Sequence, residues 1–356
     1  MKIIKFNEAF SNRKELKYEA YDIDDNLVYA SSKIHMEHLV NNEWISQDVS
    51  TSEFAEVRGD KENWRIPEDA FSEFRDNGPR GENAFVDDFT TAIKKMEFGP
   101  SWYAFIKCLE EANIFAIITA RGHEPKTIRK GIEWIIDNYL DDNKQFFLYS
   151  NCLKHAYIFR DENIDSYDRI PKGVLSQTPL VKTYLDNCYY FGVSSKSFAS
   201  DFGDSNAANP EKGKQAAINF FINKCHGYGD KINAKSVSIS FSDDDKKNII
   251  HIEKFFHEKI SDLIKLDRET HLRLYDTSDR KLLGGNQNKI TINALEEKIS
   301  TSTDLGSSVL PFTKWNNMTQ QLYPNTKDAP KDDNHNRFKN NINQLVDLSK
   351  SNKKKI

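Results

Sequence analysis

The sequence has few cysteines and no long apolar run, and both absences narrow the classes of protein it can belong to. Its 356 residues include four cysteines, Cys108, Cys152, Cys188 and Cys225. They lack the paired spacing of a zinc site and have apolar or aromatic neighbours, so we expect buried free thiols rather than disulfides or metal ligands. No stretch approaches the ~18 consecutive apolar residues of a membrane span.

A secretory signal and a net basic charge are missing as well. The opening stretch MKIIKFNEAFSNRKE has no apolar segment of the kind that directs secretion, which predicts a cytoplasmic protein without a membrane partner. The formal net charge is −4 and the isoelectric point is about 6.2. These values argue against a chain-wide basic surface for nucleic acid but leave a local basic groove open.

Apolar patterns of the strand and helix types alternate between about residues 18 and 276. Helical spacing occurs in SWYAFIKCLEEAN (101–113), PKTIRKGIEWIIDNYL (125–140), NPEKGKQAAINFFINK (209–224) and the segment around 246–263. Short apolar runs predict strands at IFAIIT (114–119), FFLY (146–149), SVSISF (236–241) and HLRLYD (271–276). The alternation predicts an α/β fold with a mostly parallel sheet covered on both faces.

Three regions depart from this alternation. Residues 29–100, with a predicted hairpin around HLVNNEWI (38–45), and residues 150–208 are interpreted as insertions above a common core. Residues 281–356 form a polar C-terminal extension that, on composition, is disordered or linker-like. Within it, VLPFTKWNNMTQQLYP (309–324) carries apolar and aromatic anchors. This patch is a candidate docking segment for its own domain or for a protein partner.

Acidic, hydroxyl and lysine side chains follow the predicted strands where each strand ends. They are Asp22, Asp24 and Asp25 after a further predicted strand at KYEAY (17–21), Thr119 at the end of IFAIIT, and Asp243, Asp244 and Asp245 after SVSISF, with Lys212 at the start of the helix before it. Ligands of open parallel sheets bind outside the carboxyl ends of the strands. Carboxylates this close repel one another, so either a cation neutralises their charges or water screens those charges at the surface.

These residues resemble the four motifs of the haloacid dehalogenase-like (HAD) superfamily of hydrolases. The matches, in motif order, are Asp22, Asp24 and Asn26 in DIDDN, Thr119 in AIITARG, Lys212 in NPEKGK with Lys214 as its rival, and Asp243, Asp244 and Asn248 in FSDDDKKN. The resemblance covers about residues 15–280. It departs at Asn26, where the family usually has Thr.

The resemblance implies a domain organisation and a cofactor. It implies a Rossmann-like core formed by residues 14–28 and 101–280, with a second insertion at about 150–208, a cap at 29–100 and the extension at 281–356. It also implies a Mg²⁺ ion held by Asp22, the backbone carbonyl of Asp24, and Asp243, because magnesium prefers oxygen ligands.

The resemblance further implies roles for individual residues. Asp22 would attack phosphorus to form an aspartyl-phosphate, and Asp24 would serve as general acid and then general base. Thr119, the backbone N–H of Ala120, and Lys212 would hold the phosphoryl group. The Asn26 amide is a further candidate donor to the phosphate, and Asp244 and Asn248 would support the metal site.

The expected activity is therefore magnesium-dependent hydrolysis of a phosphomonoester, with a small phosphorylated metabolite or nucleotide as substrate. Two alternatives stay open: a nucleic-acid end as substrate, and a catalytically weak or inactive module that acts in an assembly through its C-terminal segment. The tail resembles those of phage-encoded members, whose location would be the host cytoplasm or the virion. Arg121 either reaches the phosphate or pairs with a nearby acid. His123 either reaches the phosphate or lies in a surface loop.

Overall fold

The α/β fold predicted from the alternating pattern is confirmed by the computed structural model, which describes residues 15–159, 174–231, 234–263, 268–279, 285–293 and 298–304. The strands are β1 Glu15–Tyr21, β2 Ile34–Val40, β3 Glu43–Val49, β4 Trp64–Arg65, β5 Phe115–Thr119, β6 Tyr189–Gly192, β7 Ser236–Asp243, β8 Glu269–Asp276, β9 Asn286–Asn293 and β10 Lys298–Asp304. The helices are α1 Thr51–Val57, α2 Ala84–Lys95, α3 Trp102–Glu110, α4 Pro125–Asn138, α5 Asp142–Phe159, α6 Pro179–Asp186, α7 Lys196–Phe202, α8 Asp204–Ala207, α9 Pro210–Lys231 and α10 Lys246–Leu263.

The main sheet has the strand order β10-β9-β8-β7-β1-β5-β6. The five strands from β8 to β6 run parallel, whereas β9 and β10 extend the sheet in the antiparallel sense. β1 lies between β7 and β5, with Tyr21 beside Ser242 and Ile117. The carboxyl ends of β1, β5 and β7 therefore meet at one edge, as a Rossmann-like core requires.

Helices cover both faces of this sheet, since successive residues of a strand point to opposite faces. On one face, Tyr18 of β1 and Ile239 of β7 belong to a buried cluster with Phe221 of α9 and residues of α10. On the other face, the ring centroids of Phe105 in α3 and Phe115 in β5 lie 5.4 Å apart. The strands are apolar on both sides because both sides are buried.

Residues 29–100 build a small sheet of their own, in the order β3-β2-β4. The predicted hairpin is present, with β2 and β3 joined at Asn41 and Asn42. A buried cluster that includes Ile34, Met36 and Phe74 fills one side of this sheet. We refer to residues 29–100 as the insertion.

The structure corrects two assignments between residues 142 and 208. FFLY (146–149) lies within α5 and is not a strand: Leu148, Tyr149 and Cys152 are buried while Phe146 and Phe147 are exposed, which is helical periodicity. Residues 174–208 are not an insertion above the core, because they supply β6, which pairs with β5 in parallel. β6 has only four residues, which is too short to give a distinct strand pattern in a sequence rich in Tyr and Ser.

The prediction that the C-terminal extension is disordered or linker-like is also wrong in part. Its first segment is ordered as β9 and β10, which pair with β8 and with each other. Its composition is polar, and β10 forms the outer edge of the sheet with β9 next to it, where strands need less apolar surface. The candidate docking segment 309–324 lies outside the described residues.

The cysteine and membrane predictions meet no contradiction in the described residues. All four cysteines are buried free thiols, as predicted. Among the helices of the described part of the chain, none combines the length and apolar content that crossing a bilayer requires.

Glu19 in β1 is a partly buried acid that makes stability depend on pH. Burial raises the pKa of Glu19 to about 7, although a hydrogen bond from the Tyr21 hydroxyl opposes this shift. Since the folded-state pKa lies above the unfolded-state value, the fold loses stability as the pH rises toward 7. Glu19→Gln should therefore raise the free energy of unfolding at pH 8 by up to about 3 kcal/mol and leave it unchanged near pH 4. Urea denaturation at both pH values checks this, and equal stabilisation at the two would contradict it.

Candidate active site

Three carboxylates converge where β1 and β7 end. One oxygen each of Asp22, Asp243 and Asp244 lies within 4.8 Å of the other two. The pairing of the strands brings them together, because the Asp22 N–H donates to the Ser242 carbonyl at 3.0 Å. Asp22 and Asp243 are buried and Asp244 is partly buried. The predicted convergence of strand-end carboxylates is therefore present.

Lys214, the rival of Lys212 in the sequence analysis, is the lysine that reaches these carboxylates. Its ammonium nitrogen lies 2.7 Å from Asp243 Oδ2, to which it donates a hydrogen bond, and 3.1 Å from Asp22 Oδ1. The choice of Lys212 was wrong in this respect. Lys212 is exposed, and its backbone N–H donates to the capping side chain of Asn209 at 3.2 Å. Two residues along a helix turn the side chain by about 200° and so to the opposite side.

Asp243 is held by donors from its own loop and helix. The Asn248 amide donates to both of its carboxylate oxygens at 3.2 Å, and the Asp245 N–H donates to Oδ1 at 2.9 Å. Asn248 therefore lies where the sequence analysis expected a supporting residue. Together with Lys214, these donors fix the orientation of a carboxylate that is fully buried.

The charges at this site are not balanced, since one ammonium group faces three carboxylates. Burial raises the pKa of Asp22; Lys214 opposes the shift and Asp243 and Asp24 add to it. Burial and the neighbouring Asp243 and Asp22 also raise the pKa of Asp244 well above its usual range. Asp22 Oδ1 contacts the ammonium without hydrogen-bond geometry and has no hydrogen-bond partner among the described residues. An all-oxygen donor set with a surplus of negative charge fits a hard divalent cation such as Mg²⁺.

Comparison with known proteins assigns no family to the chain that carries Asp22, Lys214 and Asp243. No family model, curated protein or solved structure matches the chain. What the site does is therefore inferred from its own chemistry.

Asp24 lies beside this cluster, and its carboxylate forms a bidentate ion pair with Arg121. The guanidinium donates to both Asp24 oxygens, from Nε at 2.8 Å and from Nη2 at 2.7 Å. Its Nη1 donates to Asp88 Oδ2 at 2.7 Å, and the Phe74 ring lies 4.7 Å from the guanidinium carbon. The backbone carbonyl of Asp24 remains as the atom predicted to bind metal. Arg121 thus pairs with acids, one of the two roles considered for it.

Asp88 of α2 is a buried member of this network that the sequence analysis did not find. It is buried and also accepts hydrogen bonds from Arg80, Ser31 and Ser32. The Arg80 and Arg121 guanidinium groups thus meet at one carboxylate of the insertion. No local pattern marks this residue, because its partners lie on other elements.

Asn26 connects the strand ends instead of facing a phosphate. Its amide nitrogen donates to the Asp22 carbonyl at 2.9 Å and lies 3.2 Å and 3.0 Å from the carbonyl and hydroxyl oxygens of Ser242. Its carbonyl oxygen accepts from the hydroxyl groups of Ser101 and Thr277, both at 2.8 Å. With both amide hydrogens engaged by the protein, Asn26 is a positioning residue, which corrects its candidate role as a phosphate donor.

Thr119 is the last residue of β5 and Ala120 follows it, beside the Asp22 loop. The Thr119 side chain is fully buried, and its hydroxyl accepts from the Arg121 N–H at 3.3 Å. Ala120 is exposed, so the chain reaches the surface directly after the strand. At this turn the candidate phosphate site is open to solvent at Ala120 but not at the Thr119 side chain.

His123 was expected either at the phosphate or in a surface loop, and it is in neither environment. It is fully buried, with Nδ1 2.9 Å from Asp76 Oδ1. Burial and the nearby Arg121 lower the pKa of His123. Asp76 also accepts from the Glu124 N–H and the Thr127 hydroxyl. His123 therefore helps to fasten the insertion to the core.

The insertion is also tied to the loops that carry the acidic cluster. The hydroxyl groups of Thr51 and Ser52 donate to Asp25 Oδ2 at 2.7 and 2.6 Å. Arg58, at the end of α1, forms an ion pair with Asp245 at 2.6 Å. These contacts hold the insertion against the loops after β1 and β7, beside the candidate metal site.

Proposed function

We propose that this protein is a magnesium-dependent phosphomonoester hydrolase with Asp22 as its nucleophile. The observation that carries the proposal is the meeting of Asp22, Asp243 and Asp244 around Lys214 at the carboxyl edge of a parallel sheet. Such edges are where open α/β sheets bind ligands. A crowded, buried set of carboxylates with one lysine suits an anionic substrate that arrives with a cation.

Asp22, Asp243 and the Asp24 backbone carbonyl are the groups that would hold Mg²⁺, with Asp244 in support. When bound, this hard cation neutralises the carboxylates and the phosphoryl charge. Lys214 would supply a further positive charge beside the nucleophile. The Thr119 hydroxyl and the Ala120 N–H would bind the phosphoryl oxygens.

The reaction would proceed in two steps at Asp22. A carboxylate oxygen of Asp22 attacks phosphorus, the bond from phosphorus to the leaving oxygen breaks, and Asp24 gives that oxygen a proton. Water then attacks phosphorus of the aspartyl-phosphate and gives a proton to Asp24, the bond from phosphorus to the Asp22 oxygen breaks, and phosphate leaves with the Asp22 carboxylate restored. Asp24 has to loosen its pair with Arg121 to reach the leaving oxygen.

The insertion favours a small phosphorylated metabolite or nucleotide as substrate. It is fastened to the loops of the site through Asp25, Asp245 and Asp76. A segment fixed in this way excludes water and limits the size of what enters. A phosphorylated nucleic-acid end is the alternative substrate, and it needs a wider opening.

A second candidate function is a catalytically weak module that acts in an assembly. The observation in its favour is the grip of Arg121 on both oxygens of Asp24, the proposed general acid. A carboxylate held this firmly serves poorly as a proton donor.

Phosphate release tests the proposal. The panel contains sugar phosphates, nucleotides and oligonucleotides phosphorylated at either end, each with magnesium and with a chelator. We expect magnesium-dependent release that disappears in Asp22→Asn and persists in Asp201→Asn, a change at an exposed aspartate of α7. The absence of release across the panel from folded wild-type protein would overturn the hydrolase proposal and favour the non-catalytic module.

A further inference from the structure

The insertion has an edge strand whose outer side is uncovered. In the small sheet β3 pairs with β2 alone. Its residues 43–48 are all exposed. Within the described part of the chain, no other strand pairs with this edge.

The hairpin determines which backbone groups of β3 face outward. Asn41 and Asn42 have φ angles of 52° and 66°, as a two-residue type I′ turn requires. The flanking pair, Val40 and Glu43, then exchanges both hydrogen bonds, and bonding alternates from there along the strand. Trp44, Ser46 and Asp48 therefore point their N–H and C=O groups away from β2.

The opposite side of β2 agrees with this alternation. The Leu39 N–H donates to the Asn63 carbonyl at 2.8 Å, and the His35 N–H donates to the Ala70 carbonyl at 2.9 Å. These residues of β2 thus bond away from β3. Their partners in register, Trp44 and Asp48, must do the same in the other direction.

β3 has few of the features that usually protect an edge strand. It has no proline or lysine, and its charges are confined to Glu43 and Asp48. The Asp48 carboxylate is paired with His35 at 2.7 Å. Trp44 and Ile45 are 36% and 49% exposed, on opposite faces of the strand.

We propose that β3 pairs with β3 of a second copy of the chain, antiparallel across a two-fold axis at Ser46. In this register every residue of β3 lies opposite a residue of β3 in the second copy. Every outward N–H and C=O group then has a hydrogen-bond partner. It sets Trp44 opposite Asp48, Ile45 opposite Gln47, and Glu43 opposite Val49. No like charges face each other, whereas an axis at Asp48 would oppose two carboxylates.

A second copy fits this edge because the outward N–H and C=O groups of Trp44, Ser46 and Asp48 match those of an antiparallel copy, and in this register neither carboxylate faces its own copy. Pairing of one short strand buries much less than the roughly 1,600 Å² of a standard interface. The dimer is therefore reversible and forms as the protein concentration rises.

Analytical ultracentrifugation of the full chain over a range of concentrations tests the proposal. Wild type should show a reversible equilibrium of monomer and dimer. Ser46→Pro removes a central outward N–H and leaves the bonds to β2 in place, so it should weaken the dimer at least tenfold. Ser46→Ala keeps the N–H and should dimerise as wild type does. A wild-type monomer at all concentrations, or a dimer that Ser46→Pro leaves intact, would overturn the proposal.

Disulfide trapping provides a second test, because the native cysteines are all buried. Opposed residues of a hydrogen-bonded pair have Cα atoms about 5.5 Å apart, within reach of a disulfide. Ser46→Cys should form a covalent dimer on mild oxidation. Glu43→Cys, which in this register lies about 20 Å from its own copy, should not. Equal trapping at both positions, or none at position 46, contradicts the two-fold register.

Discussion

Replacing Lys214 with methionine should strongly reduce phosphate release and weaken the fold at the same time, whereas replacing Lys212 should do neither. The Lys214 ammonium is almost completely buried and contacts Asp22 and Asp243. Its removal leaves two buried carboxylates without a counter-charge, at a cost of roughly 3–5 kcal/mol in the free energy of unfolding. It also removes a positive charge beside the proposed nucleophile, which should lower the rate by at least about 10²–10³-fold.

Lys212→Met is the matched control, two residues earlier on the same helix and exposed. Denaturant unfolding and phosphate release are measured for both variants. Magnesium should raise the stability of Lys214→Met more than that of wild type, because the cation replaces the lost charge. Retained activity in Lys214→Met, or an equal loss in Lys212→Met, would contradict this assignment of the lysine.

Hydrophobic periodicity predicted a core element correctly where its apolar stripe was continuous along the element. The stripe in α4 is an example, since Ile128, Ile132 and Ile135 are all buried. The run at 146–149 was assigned wrongly because four apolar residues do not distinguish a strand from one turn of a helix. β9 escaped detection for the opposite reason, as its sequence NQNKITIN has a polar composition.

The sequence indicated the acidic cluster because it lies at strand ends, and strand ends of a parallel sheet meet. The correct lysine was not determined by sequence, since Asn209 and Pro210 mark where the helix begins but not which side faces the sheet. The roles of Asn26 and Asp88 depend on partners from other elements, such as Ser242 and Arg121. Contacts of that kind leave no periodic signal in the chain.

Arg121 connects the insertion to the candidate active site, and Arg121→Met should destabilise the protein by roughly 3–5 kcal/mol at pH 8. The change leaves Asp24 without its bidentate partner and removes a guanidinium from the buried Asp88. Arg80→Met is the control: Arg80 is partly exposed, and Asp88 keeps Arg121 in that variant, so the loss should stay within about 1 kcal/mol. Chemical denaturation compares the two.

The pH dependence separates this charge effect from a loss of packing. In the native protein the pKa of Asp88 is lowered, because Arg121 and the hydrogen bonds from Ser32 and Arg80 outweigh its burial. Its contribution to stability is therefore present above the unfolded-state pKa and lost as the pH falls through the folded-state pKa. Without Arg121 the buried carboxyl group gains from protonation, so the difference in stability from wild type should shrink between pH 8 and about pH 4. A constant difference would mean that lost packing on Phe74 dominates.

Phosphate release by Arg121→Met distinguishes the two candidate functions. If the guanidinium orients Asp24 for the reaction, release should fall together with stability, and Arg121→Lys should recover only part of it because lysine cannot donate in the same bidentate way. If release instead rises above the wild-type rate, the guanidinium restrains Asp24 from reaching the leaving oxygen. That outcome would favour the second candidate function, a catalytically weak module that acts in an assembly. The contact of Arg121 with Asp88 would then hold the insertion in place for assembly and not for catalysis.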